Sequence, residues 1–153
     1  MKNQNCITVY LAGACVNEPD EGRSWRQEAL VAFRKIDRYD NLKTCIIDPT
    51  YYFTYSNPMH KTDKQVKAFF MSKIKDCDVL LCNLNGSKYS VGTGQEVQFA
   101  VCNNIPVIGF GTEDMYPWLA NVDCDVVFDS LQDAISYIKN YYIVSAQPIK
   151  NVE

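Results

Sequence analysis

One glutamate stands where its side chain could do chemistry. Glu96 closes a polar, glycine-bearing segment, Ser-Val-Gly-Thr-Gly-Gln-Glu, that begins at Ser90. The apolar run at 79–84 before this segment is too short for a helix and is typical of a buried parallel strand. From position 97 onward, apolar residues recur at helical spacing. The pattern predicts a strand, a loop and a helix, with the loop at the carboxyl end of the strand, where open α/β sheets bind ligands.

The same pattern indicates what Glu96 does. We expect the helix to run from Gly94 to about Asn104, which places Glu96 in its first turn. Free backbone N–H groups and the helix dipole favour an ionised carboxylate there. An anionic carboxylate beside a ligand-binding loop serves as a nucleophile or a general base. The alternative is a surface glutamate that only complements the helix dipole.

Composition limits the classes of function. The 153 residues are 47% hydrophobic and 22% charged, with a net charge of −3 and no basic run. This composition is typical of a globular domain and excludes the electrostatic footprint of a protein that binds DNA, RNA or an anionic membrane. Single nucleotides stay open as ligands. The N-terminus lacks the apolar core of a signal peptide, and no run approaches a membrane span, so we expect a cytoplasmic protein.

Cysteine and histidine usage bears on cofactors. The seven cysteines are odd in number and form no CxxC pair, so we expect small buried hydrophobes in a reducing compartment. His60 is the only histidine, which argues against a histidine-based metal site and against a Ser-His-Asp triad. We therefore expect no metal and no organic cofactor.

Alternating strands and helices predict one α/β domain, doubly wound and flavodoxin-like, with about five parallel strands. Ser24 with Gln27, and Thr62 with Gln65, form capping boxes that predict two helix starts. The single domain spans 1–153, with a core at about 7–142 and an irregular tail at 145–153. Strands are expected at 7–12, 44–48, 79–84, 106–110 and 125–128, and the remaining helices at about 24–39, 62–77 and 130–142.

Five segments occur in the order found in one known family. On these segments the chain resembles the nucleoside 2-deoxyribosyltransferases, a superfamily that includes 2′-deoxynucleoside 5′-phosphate N-hydrolases. The resemblance runs from about Ile7 to Tyr142, and its most specific part is the Gly-x-Gly-x-Glu arrangement. The segments are Tyr10-Leu-Ala-Gly, Asp48-Pro49, Asp78-Val-Leu-Leu-Cys-Asn-Leu, Ser90-Val-Gly-Thr-Gly-Gln-Glu96 and Pro117-Trp118.

The resemblance assigns roles residue by residue. Glu96 falls on the nucleophilic glutamate, and Tyr10 on the tyrosine that orders the active site. Ser90 falls where the transferases usually have an aspartate for the sugar 5′-hydroxyl and the phosphate-preferring hydrolases a serine for the 5′-phosphate. The helix-terminal amides from Ser90 to Gly94 suit either group. The candidate substrate-binding residues are Gly13, Ser90, Gly92, Thr93 and Gly94; Lys88, Arg23 and Arg26 are candidate phosphate partners.

One position departs from the family pattern. Phe70 stands where an aspartate commonly takes part in proton transfer to the nucleobase. Either Asp48, Asp63 or Asp78 supplies the proton instead, or the base leaves with less help. Asp78 heads a strand, which favours a structural role in anchoring the backbone.

The resemblance implies an enzyme that breaks the C1′–N bond of a 2′-deoxynucleoside and captures the sugar on Glu96 as an ester. Another nucleobase then takes the sugar in a transferase, or water takes it in a 5′-monophosphate N-glycosidase. A non-catalytic nucleotide-binding module is the alternative of another class, which Phe70 leaves open. The aromatic segments at 51–55 and 141–142 suggest a homo-oligomer; the first of them forms either a pocket wall or a loop over the sheet edge.

Overall fold

Parallel strands and helices alternate along the chain. The computed structural model describes residues 6–15, 18–40, 43–52 and 60–144. The strands are β1 (Cys6–Gly13), β2 (Lys43–Ile47), β3 (Val79–Asn83), β4 (Val107–Phe110) and β5 (Val126–Phe128). The α-helices are α1 (Arg23–Asp40), α2 (Asp63–Lys75), α3 (Val91–Cys102) and α4 (Leu131–Ile138). Short 3₁₀ turns lie at Pro49–Tyr51 and Ser87–Tyr89, and π turns at Leu119–Asp123 and Lys139–Ile143.

The sheet has the order β2-β1-β3-β4-β5, and every strand pair is parallel. This is the flavodoxin-like order, and the sequence-based prediction of fold class is confirmed. The connections change direction between β1 and β3, so the crevice for a ligand is expected at the carboxyl ends of these two strands.

Two hydrophobic layers hold helices to the sheet. Val9 and Leu11 point to the layer under α1 and α4, whereas Tyr10 and Ala12 point to the layer under α2 and α3. All four side chains are fully buried. This alternation follows from the period of two along a strand, and it places the hydroxyl-bearing Tyr10 on the α3 side of the sheet.

Two aspartates link neighbouring strands by hydrogen bonds at the amino edge of the sheet. Asp78 donates its backbone N–H to Thr8 O at 2.8 Å, and its Oδ2 accepts from Thr8 N at 2.9 Å. Asp125 makes the same pair of bonds with Val107, at 2.9 and 2.8 Å. Each aspartate thus supplies the donor and the acceptor that continue a ladder at its end. We call these two pairs the aspartate clamps.

Of the two predicted capping boxes, the structure confirms the one at Thr62 and contradicts the one at Ser24. Thr62 and Gln65 form the reciprocal pair of bonds at the start of α2, as predicted. Ser24 is not a cap, because α1 already begins at Arg23. The Asp20 carboxylate takes that role, accepting from Gly22 N at 2.9 Å and Ser24 N at 2.8 Å. These bonds lower the pKa of Asp20, with the contacts to Ser24 contributing most.

The cysteines are all free thiols, but they are not uniformly buried. Cys77 and Cys82 lie in the core, whereas Cys45 and Cys102 are exposed, so the expectation of buried cysteines holds for part of the set. Within the described ranges, no helix is long and apolar enough to cross a membrane. The predicted irregular tail at 145–153 and the aromatic residues at 53–55 lie outside the described residues.

Candidate active site

A cavity of about 680 Å³ opens at the carboxyl ends of β1, β2 and β3, as the strand order predicts. Its floor is formed by the ends of the strands, one side by the first turns of α3, and the other side by α2. The residues in its wall include Gly13, Cys15, Glu18, Glu21, Arg26, Asp63, Phe70, Ser90, Gly92, Thr93, Glu96 and Asp114.

The structure brings Tyr10 and Glu96 together at the wall of this cavity, which Glu96 lines. The Tyr10 hydroxyl, rising from β1, donates a short hydrogen bond to Glu96 Oε2 on α3. Burial raises the pKa of Tyr10 well above its ordinary value, and the charge of Glu96 and the hydrogen bond to it raise it further. Tyr10 therefore stays protonated and acts as a fixed donor that orients one carboxylate oxygen of Glu96.

The ionisation of Glu96 differs from the prediction. α3 begins at Val91 rather than at Gly94, so Glu96 lies in the second turn and not among the free N–H groups of the first. Burial raises its pKa to about 7, while the Tyr10 hydrogen bond and the charge of Arg26 lower it. The helix dipole is thus outweighed by desolvation, and Glu96 titrates near neutral pH.

Ser90 caps α3, which explains the early start of the helix. Its Oγ accepts from Thr93 N at 3.4 Å and lies 2.7 Å from Thr93 Oγ1, while Ser90 O accepts from Gly94 N. The N–H groups of Val91 and Gly92 have no acceptor within the helix by geometry. Ser90, Gly92 and Thr93 line the cavity, whereas Gly94 lines a neighbouring groove. The structure therefore brings three of these four predicted residues to the cavity.

Gly13 lies at the end of β1, in a space that admits little else. A Cβ added to Gly13 would lie 3.1 Å from Asn83 Cβ and 3.1 Å from Trp25 Cζ2. Its carbonyl oxygen accepts from Arg26 Nη2 at 3.0 Å. The predicted site residue is thus in the cavity wall, and the packing of its neighbours accounts for the glycine.

The arginines named as phosphate partners have other contacts. The Arg26 guanidinium is buried and donates to three backbone carbonyls, those of Leu11, Gly13 and Gly22. Arg23 is half-exposed and pairs with Glu21 at 3.3 Å. Among the described residues that line the cavity, five are acidic and two basic, namely Glu18, Glu21, Asp63, Glu96 and Asp114 against Arg26 and Lys67. The rim is therefore acidic.

One face of α2 forms part of the cavity wall. Asp63, Val66, Lys67, Phe70 and Met71 all line the cavity, at the spacing i, i+3, i+4, i+7 and i+8 of a single helix face. Phe70 thus points into the cavity and contributes an apolar surface. Asp63, two turns before it, is the carboxylate on the same face.

The other two candidate proton donors, Asp48 and Asp78, do not line the cavity. Asp48 follows β2 and is buried, and its Oδ1 accepts from Thr50 N at 2.9 Å and from Thr50 Oγ1 at 2.7 Å. Asp78 lies at the amino edge of the sheet, where it forms an aspartate clamp, and the structure does not bring it to the cavity. Among the described residues, no three His, Cys, Asp or Glu side chains are grouped so as to hold a metal ion.

A second, more open groove of about 780 Å³ lies on the far side of the α3 N-terminus. Its walls are mostly apolar and include Phe99, Tyr116 and Leu119. The groove and the cavity share a wall, which is formed by Lys67, Met71, Ser90, Val91 and Gln95.

Comparison with known protein families identifies the family of the chain. The family model of nucleoside 2-deoxyribosyltransferase matches residues 9–136, which is most of the chain and includes both Tyr10 and Glu96. The chain belongs to this family. It is accordingly an enzyme of the nucleoside deoxyribosyltransferase class. No curated protein matches the chain in sequence.

Solved structures show the same fold at low sequence identity. A 2-deoxyribosyltransferase from Bacillus psychrosaccharolyticus is 17% identical with a TM-score of 0.66, over 95% of this chain and 99% of that one. A 2-deoxyribosyltransferase from Leishmania mexicana is 21% identical with a TM-score of 0.59, over 89% and 99%. A CMP N-glycosidase from Clostridium botulinum is 17% identical with a TM-score of 0.54, over 88% and 99%.

Proposed function

We propose that this deoxyribosyltransferase-family enzyme cleaves the N-glycosidic bond of a 2′-deoxynucleoside through a covalent ester on Glu96 and passes the sugar to another nucleobase. The observation that carries the proposal is the Tyr10–Glu96 pair at the carboxyl edge of the sheet, inside a cavity of nucleoside size. Tyr10 holds Oε2 by its hydrogen bond, so Oε1 is the oxygen that attacks.

The chemistry balances on these groups. The C1′–N bond breaks with its electron pair going to the base, and the C1′–Oε1 bond forms as positive charge builds at C1′. A fixed carboxylate stabilises that charge and then captures the sugar, as in retaining glycosidases. A nitrogen of the second base attacks C1′ and releases its proton to solvent, and the ester electrons return to Glu96. A sugar without a 2′-hydroxyl forms this cation more readily.

The base end of the cavity supports a separate assignment. Phe70 and Val66 offer an apolar surface against which a planar base packs. Of the three carboxylates weighed as proton donors, Asp63 is the one that lines the cavity, and it is exposed to solvent from which it regains a proton. We assign the protonation of the leaving base to Asp63. Asp48 is held by Thr50, and Asp78 lies at the opposite edge.

A second candidate function is the hydrolysis of a deoxynucleoside 5′-monophosphate. Ser90, with the free N–H groups at the start of α3, favours it, because a neutral hydroxyl and a helix N-terminus suit a phosphate. A CMP N-glycosidase has the same fold. The acidic rim favours the free nucleoside, because a phosphate dianion meets more carboxylates than cations there, and three N–H groups of Arg26 are already bonded. We therefore place the nucleoside first.

The assembly and compartment are also proposals. Large apolar side chains are exposed around the cavity mouth and at the far end of the chain, including Tyr51, Tyr89, Val91, Trp118 and Tyr141. Such a concentration is typical of a surface covered by another subunit. We propose a homo-oligomer in the cytoplasm, where the seven free thiols stay reduced. An active preparation with a concentration-independent monomer mass in light scattering would overturn the oligomer.

The decisive variant is Glu96→Gln, which keeps the size of the side chain and removes the nucleophilic anion. With a deoxynucleoside and a second base, we expect turnover to fall by about a thousandfold or more. Glu18→Gln is the matched control, since Glu18 lines the same cavity without contacting Tyr10 in the described structure. Rapid acid quenching and intact-protein mass spectrometry should show a deoxyribosyl adduct on the native protein and none on Glu96→Gln. Near-normal cleavage by Glu96→Gln excludes the proposal.

A further inference from the structure

Arg26 is a buried cation whose role exceeds that of a loop anchor. Arg26 is the largest of the fully buried side chains in the described part of the chain, and it is 1% exposed. Its guanidinium donates to Leu11 O at 3.3 Å, Gly13 O at 3.0 Å and Gly22 O at 2.7 Å. These bonds tie the end of β1 to the start of α1 across the floor of the cavity. Burying a charge is costly, and neutral donors would serve three carbonyls, so the charge itself requires an explanation.

The charge lies close to one carboxylate and shares a cavity with another. Arg26 Nε is 3.8 Å from Asp48 Oδ1. Arg26 and Glu96 both line the cavity, and the positive charge of Arg26 opposes the rise that burial causes in the Glu96 pKa. The positive charge of Arg26 also opposes the rises that burial causes in the pKa values of Tyr10 and Cys15.

The other groups around Glu96 do not supply this charge. Tyr10 from β1 is a neutral donor, and burial raises the pKa values of Cys15, after β1, and Cys82, on β3, so both stay thiols. α3 carries no charged residue besides Glu96 itself. At the rim, Lys67 is on α2 and is outnumbered by the carboxylates Glu18, Glu21, Asp63 and Asp114. Among the described residues that line the cavity, Arg26 is therefore the buried cation.

We propose that Arg26 is a positioning residue for the nucleophile: it fixes the loop over the cavity floor and supplies a buried positive charge that favours the anionic form of Glu96. Asp48 limits this effect, because its negative charge partly neutralises the guanidinium. The inference rests on the proposed function in so far as Glu96 is the nucleophile. The ionisation itself is measured without any turnover.

The experiment titrates Glu96 directly by ¹³C NMR of its carboxyl carbon, with the resonance identified by its loss in Glu96→Gln. In Arg26→Gln the Glu96 midpoint should rise by about one pH unit or more, because an opposite charge is removed. Arg26→Lys keeps the charge and should return the midpoint most of the way to the native value. In Asp48→Asn the midpoint should fall, because the guanidinium loses its counter-charge, while the amide oxygen of the new side chain still accepts from Thr50. The acid limb of kcat/KM should move with each midpoint.

A control variant, and the opposite shifts of the Glu96 midpoint expected in Arg26→Gln and Asp48→Asn, make the test decisive. Arg23→Gln removes a charge from the same helix at an exposed position and should leave the Glu96 midpoint unchanged. A midpoint that does not rise in a folded Arg26→Gln protein overturns the inference. If Arg26→Gln does not fold, Asp48→Asn decides alone, and an unchanged or raised midpoint overturns it. Midpoints that move as expected in a protein without N-glycosidic activity would sustain the role of Arg26 and remove the proposed function.

Discussion

The two edges of the sheet use carboxylates in opposite ways. At the amino edge, Asp78 and Asp125 each accept a backbone N–H and donate their own, and neither lies in the core. At the carboxyl edge, Glu96 is half-buried and accepts from Tyr10, and burial raises its pKa to about 7. The first arrangement satisfies the carboxylate and strengthens the sheet. The second leaves the carboxylate under-stabilised, which is what a nucleophile requires.

The comparison predicts that the carboxyl edge costs stability in the ionised state. The folded pKa of Glu96, about 7, lies above its ordinary value of 4.5, so the folded protein binds this proton more tightly than the unfolded chain. The stabilising contribution is complete below about pH 4.5 and is lost as the pH rises through 7. Glu96→Gln should therefore exceed the native protein in free energy of unfolding by up to about 3 kcal/mol at pH 8 and match it near pH 4.5.

Urea unfolding of both proteins at pH 4.5, 6 and 8 measures this difference. Glu18→Gln, a change at the cavity rim, should show no such pH-dependent gap. Equal stability of Glu96→Gln and native protein at pH 8 would contradict the desolvation of Glu96.

At the amino edge, removal of a carboxylate should lower the free energy of unfolding rather than raise it. Asp78→Ala removes the acceptor of Thr8 N and should lower the free energy of unfolding by about 1–3 kcal/mol, with kcat unchanged. Asp78→Asn keeps an acceptor oxygen and should lose less. Asp125→Ala should lose less than Asp78→Ala, because Asp125 is exposed and water can replace it. A fall in kcat with a stable fold in Asp78→Ala would instead support the catalytic role weighed for Asp78 from the sequence.

The smallest effect is expected at Ser90, the N-cap of α3. Aspartate is as good a helix cap as serine, so Ser90→Asp should fold normally. The acidic rim predicts that the native enzyme prefers a free deoxynucleoside to its 5′-monophosphate in kcat/KM, and Ser90→Asp should widen that preference by about tenfold through added repulsion. A native preference for the monophosphate that Ser90→Asp abolishes would assign phosphate recognition to Ser90 and favour the hydrolase.

The sequence predicts the fold class and points to a candidate site because their signals are local. Alternating apolar runs and helical stripes indicate the strands and helices, and the glycine-bearing segment that ends at Glu96 indicates the candidate site. The start of α3 was misplaced because Gly92 and Gly94 suggest a loop, whereas the cap at Ser90 starts the helix before them. Asp20 was missed as a cap because its loop geometry brings it to the helix and no spacing rule does.

The electrostatics lay beyond the sequence for a different reason. The ionisation of Glu96 depends on how deeply neighbouring elements bury it, and the helix dipole alone gave the wrong direction. The role of Arg26 depends on the carbonyls of three residues that are four to fifteen positions away. Such long-range contacts have no fixed spacing, and only the folded chain shows them.

The wall shared by the cavity and the outer groove has a consequence for inhibitor design. A compound anchored in the cavity by a sugar mimic could extend past Val91 into the groove, where Phe99 and Leu119 offer an apolar surface. Residues that line the groove alone, such as Phe99 and Leu119, take no part in the proposed reaction, so that chemistry does not constrain them. Potency would then come from the part of the compound in the cavity, and selectivity between relatives from the part in the groove.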